Sequence, residues 1–426
     1  MTTILKMTLA ATLLVALLFH PVVRAEEPAA ATAAAGPAAS PGAAPASRDE
    51  VQALAEEIRR LKLEIGLRDV EYQSYGGMGP AASKVYFAPK GLSIGGYGEV
   101  TYKNMLGGQG DQSDVYRLIL YLGYRFSDRL VFNSEVEFEH GGEETAVEFA
   151  YLDYHLSDAL QFRVGNVLVP VGMVNELHEP PFFNGVFRPD LERNLIPATW
   201  NENGLGLHGS VGPVRYQAYL LTALDATDDS SPLSKGNWVR NARSGGGNSR
   251  SNTFASVLAV AWDAWPVSLG GSVYRGQAGQ GEPGVGAAVT LAELHGRVAW
   301  RGLAAKAIYA VGTLSDSDAV AATPGHVIGS RVAGGYGELA YDLLALAAPG
   351  GEAQLSPFVR YEAYDLNDEV ASGQARDPAV DMTIWTAGLT WKPLATVSLK
   401  ADWQRKESRV PGSAADQLNL GMGFVF

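Results

Sequence analysis

From Leu92 to Phe426 the chain is built of alternating runs, apolar and polar residues changing places at every step. In the first run Leu92, Ile94, Gly96, Gly98, Val100 and Tyr102 share one face, and Ser93, Gly95, Tyr97, Glu99, Thr101 and Lys103 the other. Tyr116 to Phe126 and Leu130 to Phe138 repeat the pattern. A period of two places successive side chains on opposite faces of a strand. The runs are about 10–12 residues long, the length of a tilted strand crossing a bilayer, whereas strands of soluble proteins average about 5–6. Aromatics close the apolar faces (Tyr116 with Phe126, Trp385 with Trp391), as interfacial girdles do.

The spacing predicts strands near 92–103, 115–126, 129–139, 146–156, 160–168, 204–211, 214–224, 253–263, 267–276, 287–301, 303–314, 327–344, 355–365, 380–392, 394–406 and 415–426. The links between them alternate long and short. Asn104–Asp114 is long and Ser127-Asp128 a turn; Asp225–Asn252 is long and Ala264-Trp265-Pro266 short. Ala345–Gln354 alone is long for its place. Membrane barrels have short periplasmic turns and long external loops, and an even count of sixteen leaves an aqueous lumen. The expected fold is therefore all-β, a sixteen-stranded antiparallel transmembrane β-barrel spanning 91–426. The last run, with Leu418, Leu420, Met422, Phe424 and Phe426 on one face, would close it.

One link resists the pattern. Pro170 to Asn203 carries Pro170, Pro180, Pro181, Pro189 and Pro197, which break helix and ladder alike. It also carries Met173, Val174, Leu177, Phe182, Phe183, Val186, Phe187, Leu191, Leu195, Ile196 and Trp200, too apolar for a solvated linker. A long loop with such cargo packs against something. By the alternation it is the third external loop, and its expected place is inside the lumen.

Before the barrel, three segments follow one another. Residues 1–25 read as a secretory signal: Lys6, an apolar core from Leu9 to Phe19, and small residues at Val23 and Ala25. Residues 26–47 are an Ala/Pro-rich tether. In 48–79, Val51, Leu54, Ile58, Leu61 and Ile65 form a short a/d seam before a Gly-rich linker, the pattern of an amphipathic helix or coiled coil facing the periplasm. Such a helix could bind peptidoglycan or a partner protein. The chain has no Cys, which excludes disulfides and thiolate metal sites. Its formal charge is −13, or −13 − 2 = −15 without Lys6 and Arg24 of the signal, which argues against nucleic acid.

No catalytic constellation emerges, and neither a cofactor nor a metal centre is expected. His155 and Ser157 share a strand face without an orienting third group. Glu137, Glu139, His140, Glu143 and Glu144 could hold a divalent cation through oxygen ligands but read better as a solvated acidic rim, and Asp225, Asp228 and Asp229 likewise. Arg240, Arg243 and Arg250 in a Gly/Ser-rich loop could attract anions or lipid headgroups. Lumen-facing charges are more telling. Counting from the turns puts Glu99, Glu135, Asp153 and Arg163 near the waist. The third loop adds Glu176, Glu179, Asp190, Glu192 and Glu202 against Arg188 and Arg193, 2 − 5 = −3. Carboxylate rings favour cations and Arg or Lys rings anions. The expected constriction is Glu176, Glu179, Arg188, Asp190, Glu192 and Arg193 facing Glu99, Glu135, Asp153 and Arg163, with weak cation preference or none. Each charge could equally fasten loop to wall, Arg193 with Glu135 for example. The opposing expectation is an anion channel in which Arg117, Arg125, Arg163, Arg215, Arg297 and Arg301 form a basic ladder.

The segment RVGNVLVPVGM followed by FRPDLERNLIPATWNENGLGLHG resembles the phosphate-selective porin O and P family. The likeness rests on Gly165, Pro170 and Gly172 leading into the loop, the Glu192-Arg193 pair, and Gly204, Gly206 and Gly209 in the sixth strand. It implies an outer-membrane porin, a homotrimer of sixteen-stranded barrels in outer-membrane lipid, passing small solutes or ions. Phosphate selectivity in that family goes with basic residues at the constriction, whereas this loop is net acidic.

Overall fold

The computed structural model describes residues 73–106, 110–348 and 350–426. The signal, the tether and the seam from Val51 to Ile65 lie outside the described residues.

Sixteen strands form one closed antiparallel sheet in which every strand pairs with its neighbours in sequence. They are β1 Gly91–Met105, β2 Gln112–Arg125, β3 Leu130–Glu139, β4 Glu144–Ser157, β5 Leu160–Leu168, β6 Asn201–Val211, β7 Val214–Thr222 and β8 Phe254–Ala264. There follow β9 Val267–Gln277, β10 Ala288–Trp300, β11 Leu303–Leu314, β12 Gly329–Tyr341, β13 Gln354–Val370, β14 Asp381–Leu394, β15 Val397–Ser408 and β16 Gln417–Val425. The ring closes where β1 meets β16, from Tyr97 opposite Val425 to Met105 opposite Gln417.

Each strand overlaps the run expected for it. β6 starts early because Asn201 pairs with Leu168 as the third loop leaves the lumen. β13 continues past Asp365 to Val370, following β12 through two register shifts. The long sixth turn carries a helical turn, Leu344–Ala347. Among the described residues no helix is long and apolar enough to cross a membrane. The sheet spans instead. Leu118, Leu205, Leu258, Leu294, Leu389 and Leu420 are exposed on its outer face, and Phe126, Trp265, Trp300 and Trp391 stand near the short turns. Only a closed barrel satisfies every strand N–H and C=O while presenting such a belt to lipid.

The inner face is polar and largely covered. The third loop, 169–200, turns inward as expected and crosses the lumen. Met173, Val174, Phe183, Val186, Leu191, Leu195, Ile196 and Trp200 are all buried. Gly423 on β16 makes the crossing possible: a Cβ there would stand 2.3 Å from Pro180 Cβ.

A second body shares the lumen. Residues 73–87, of which 73–79 were expected to end a periplasmic module, run inside the barrel. They include an eight-residue helix, α1 Pro80–Phe87, packed on β1, β2 and β3. Pro80 sits in the first turn, where its missing N–H is no loss. Ala81, Ala82, Val85 and Tyr86 are buried while Lys84 and Phe87 stay exposed. The short turns mark the periplasmic end, so this segment fills the periplasmic part of the lumen, beneath the third loop.

Candidate functional site

The narrow part of the lumen is made by three segments: the third loop, residues 73–87, and the fourth external loop, 223–253. The fourth loop leans over the mouth. Trp238 Nε1 donates to Gly329 O at 3.0 Å, and Arg243 Nη1 donates to Thr199 O at 3.0 Å, tying it to the third loop. Beneath it is a vestibule of about 740 Å³, lined among others by Lys103, Asp114, Arg117, Glu137, Glu139, Arg193, Arg240, Arg243 and Lys406. Burial, and then neighbouring Arg240, pushes the Arg243 guanidinium down to about 10, and burial with Arg193 lowers Arg240. Like charges thus crowd this wall.

The acids of the third loop are committed to the scaffold. Glu192 Oε2 accepts from Met173 N at 2.7 Å and Val174 N at 2.8 Å, and its Oε1 accepts from Tyr336 Oη at 2.7 Å. Glu179 accepts from Ala81 N at 3.3 Å and Ala82 N at 3.0 Å, so it caps α1. The approach needs a glycine, because a Cβ on Gly79 would stand 2.2 Å from Glu179 Oε1. Glu176 accepts from Gln217 Nε2 at 2.9 Å. Asp190 meets Lys406 Nζ at 2.7 Å and Arg193 Nη1 at 3.7 Å. Burial raises the Asp190 carboxyl, but Lys406 and Arg193 outweigh it and hold it low. Glu202, at the start of β6, accepts from Thr222 Oγ1 at 2.9 Å and from Ser244.

Of the four wall residues, all point inward and are buried. Glu99 lies 3.8 Å from Arg117, which also pairs with Glu137 at 3.0 Å and Glu139 at 2.8 Å. Asp153 and Arg163 pair with each other at 2.8 Å and hold Tyr86 of α1, whose Oη donates to Asp153 at 2.8 Å. They therefore face the luminal helix, not open space. Glu135 meets His178 at 3.2 Å, and Arg193 lies with Asp190 rather than with Glu135. His155 stacks with Tyr75 and Tyr86, centroids 5.4 and 5.6 Å apart.

The basic ladder is partnered as well. Arg125 donates to Ala88 O at 2.9 Å, Arg297 to Met173 O at 2.9 Å, and Arg215 lies 3.6 Å from Asp263. Arg301 covers the Trp300 ring. Arg188, in the third loop and outside that ladder, differs. It is 5 % exposed, and none of its three guanidinium nitrogens has a hydrogen-bond partner among the described residues. It lines a small cavity of about 20 Å³ below the vestibule, together with Glu99, Arg117, Phe183, Arg193 and Arg240.

Phe183 also lines a cavity of about 250 Å³ on the β10–β14 side, with Lys306, Glu338 and Lys392. Lys400 Nζ stands 3.7 Å from the Phe183 ring centroid and has no hydrogen-bond partner among the described residues. Phe183 thus separates the upper cavities from the lower one. Phe183→Ala is expected to join them and raise the single-channel conductance, measured in planar bilayers. Unchanged conductance would mean the route passes elsewhere. Lys400, Phe183's role and the luminal helix were all missed by sequence reasoning. The dipeptide Gly79-Pro80 before a run of helix formers was the available signal for α1.

An uncharacterized protein of Aquifex aeolicus (strain VF5) is 38 % identical over 374 residues, covering 82 % of this chain and 83 % of its own. The chain belongs to that protein's family. No family model matches it. Salmonella typhi OmpF, solved in complex with Daunomycin, superposes with a TM-score of 0.52 at 13 % identity, over 79 % of this chain and 97 % of that one. The outer membrane channel DcaP of Acinetobacter baumannii gives 0.52 at 11 % identity, over 79 % and 97 %. The trimer form of OmpT, an outer membrane protein of Vibrio cholerae, gives 0.50 at 13 % identity, over 79 % and 100 %. What these three solved structures share with this chain is the barrel fold.

Proposed function

We propose that the chain is an outer-membrane porin through which small hydrophilic solutes diffuse passively, with a preference for anions, and that it works as a homotrimer. Arg188 carries the choice of sign. A buried guanidinium without a hydrogen-bond partner is expensive, and a mobile anion entering its cavity lowers that cost. The loop acids do not offset it, because their oxygens are spent on amide N–H groups, on Tyr336 and on Lys406. Counting loop charges to −3 therefore misjudges what a passing ion meets. The likeness to OmpF and to the DcaP channel supports the channel reading, and the trimer form of Vibrio cholerae OmpT supports the trimer. The likeness to phosphate-selective porins adds inorganic phosphate as a candidate solute.

Reversal potentials in a KCl gradient test the sign. The wild type is expected to favour chloride, and Arg188→Gln to move the reversal potential toward potassium. A cation-selective wild type would sink the reading. Block of the chloride current by inorganic phosphate, lost in Arg188→Gln, would extend it to phosphate.

A further inference from the structure

We propose that Glu135, Glu148 and His178 form a binding site for a divalent first-row transition ion, zinc above all, at the joint between the third loop and the barrel wall. The inference is independent of the channel reading. All three residues are at least 98 % buried, being 0, 2 and 2 % exposed. One ligand atom from each lies within 4.8 Å of the other two. His178 Nε2 is 3.2 Å from Glu135 Oε1 and 3.8 Å from Glu148 Oε2.

The tautomer of His178 is the central point. Its Nδ1 lies 2.8 Å from Asn175 O, a carbonyl, which can only accept. The ring proton therefore sits on Nδ1, and in the neutral ring Nε2 presents a lone pair to two carboxylates. Asn175 is itself fixed: its Nδ2 donates to Val169 O at 2.7 Å and Trp200 O at 2.8 Å, and its Oδ1 accepts from Trp200 N at 2.7 Å. A backbone carbonyl orienting the far nitrogen is the usual outer support of a metal-binding imidazole. A second proton on Nε2 would serve Glu135 Oε1. It would leave Glu135 Oε2 and Glu148 Oε2, both buried, with no N–H donor among the described residues. A divalent ion serves all three side chains together.

Glu148 reaches this place through a backbone irregularity. On β4, Phe149 pairs with Glu135 and Val147 with Val136, so Glu148 is the extra residue of a bulge. In a regular strand Glu148 and Phe149 would point to opposite faces, yet both are buried inward. Bulges are used to re-aim a side chain beside functional sites. The donor set of one imidazole and two carboxylates suits zinc, manganese or iron(II) better than calcium or magnesium. Around zinc such donors stand about 3.5 Å apart, so the cluster closes with small side-chain movements. Glu137 and Glu148 both line the vestibule, which gives the ion an entry path.

The test uses the full chain, refolded in detergent, stripped with a chelator and then dialysed against zinc. One zinc per chain is expected. Glu148→Gln and His178→Gln should each weaken binding at least a hundredfold, whereas Glu143→Gln on the exposed rim should leave it unchanged. Circular dichroism and heat-modifiable gel migration establish that the variants fold. If either variant does not fold, X-ray absorption of the zinc-loaded wild type decides, with one imidazole and the remainder oxygen expected. Absence of zinc from the folded wild type, binding that survives both substitutions, or a spectrum with two or more imidazoles would overturn the proposal.

Discussion

Deleting residues 26–88 is expected to raise single-channel conductance several-fold, while deleting 26–72 leaves it unchanged. The expectation rests on the luminal position of residues 73–87. Tyr75 stacks on Tyr86 at 4.0 Å and its Oη donates to Gln161 Oε1. Gly76 O accepts from Gln217 Nε2 at 3.2 Å, and Gly79 N donates to Glu176 O at 3.3 Å. α1 is then held between Glu179 at its first turn and Arg125 at its last, where Tyr86 O and Ala88 O accept at 3.2 and 2.9 Å. Each fully buried side chain of the size of Val85 or Tyr86 contributes roughly 1.5–3 kcal/mol. The segment therefore stays in place unless it is removed.

Its removal should not collapse the wall behind it. Asp153 keeps Arg163 at 2.8 Å and His208 at 2.8 Å, so the charges that held Tyr86 remain paired with each other. Water would replace the helix, and the periplasmic half of the lumen would widen to the third loop. Two truncations separate a plug from a tether. If both leave conductance unchanged, the helix does not limit flow. If both change it equally, the effect lies in the preceding residues. Lost envelope integrity with unchanged permeability after deletion of 26–72 would point to a peptidoglycan or partner role for that stretch.

The barrel was legible because its signals are local. Alternation in Tyr116–Phe126 or Leu130–Phe138 depends only on neighbouring residues, and turn lengths on a few more. Even the inward face of Glu99, Glu135 and Asp153 follows from parity. What parity cannot supply is the partner across the lumen. Arg193 and Asp190 are three residues apart and meet in one short turn, yet Lys406 from β15 joins them only after closure. Parity also fails at Glu148, where one extra residue turns two successive side chains inward. The charge of the third loop was legible as a sum, but not how its oxygens are held. A carboxylate held by amide N–H groups and a guanidinium without hydrogen-bond partners count equally in a sum, but in the proposed channel only the second meets a mobile ion.

Arg360→Met should destabilise the barrel by about 3–5 kcal/mol, the usual cost of removing one partner from a buried ionic network. Arg360 is 1 % exposed. Its Nε donates to Glu362 Oε1 at 2.9 Å and its Nη1 to Glu338 Oε2 at 3.1 Å. Both carboxylates also hold the third loop, Glu362 accepting from Leu191 N at 3.1 Å and Glu338 from Asn184 Nδ2 at 3.0 Å. Without Arg360, Glu338 retains Lys306 at 3.1 Å, but Glu362 loses its nearest cation. A buried carboxylate in that state takes up a proton or pulls in water, and either response loosens the Leu191 anchor. The variant should therefore show two changes together: a lower denaturation midpoint in detergent, followed by Trp fluorescence, and noisier, larger single-channel currents as the loop moves. Arg360→Met combined with Glu362→Gln should recover part of the stability, because the second substitution removes the stranded charge while keeping an acceptor for Leu191 N. Full additivity of the two losses would show that the residues do not act as one node, and a stable Arg360→Met barrel with a quiet channel would mean that the third loop is held by its apolar packing alone.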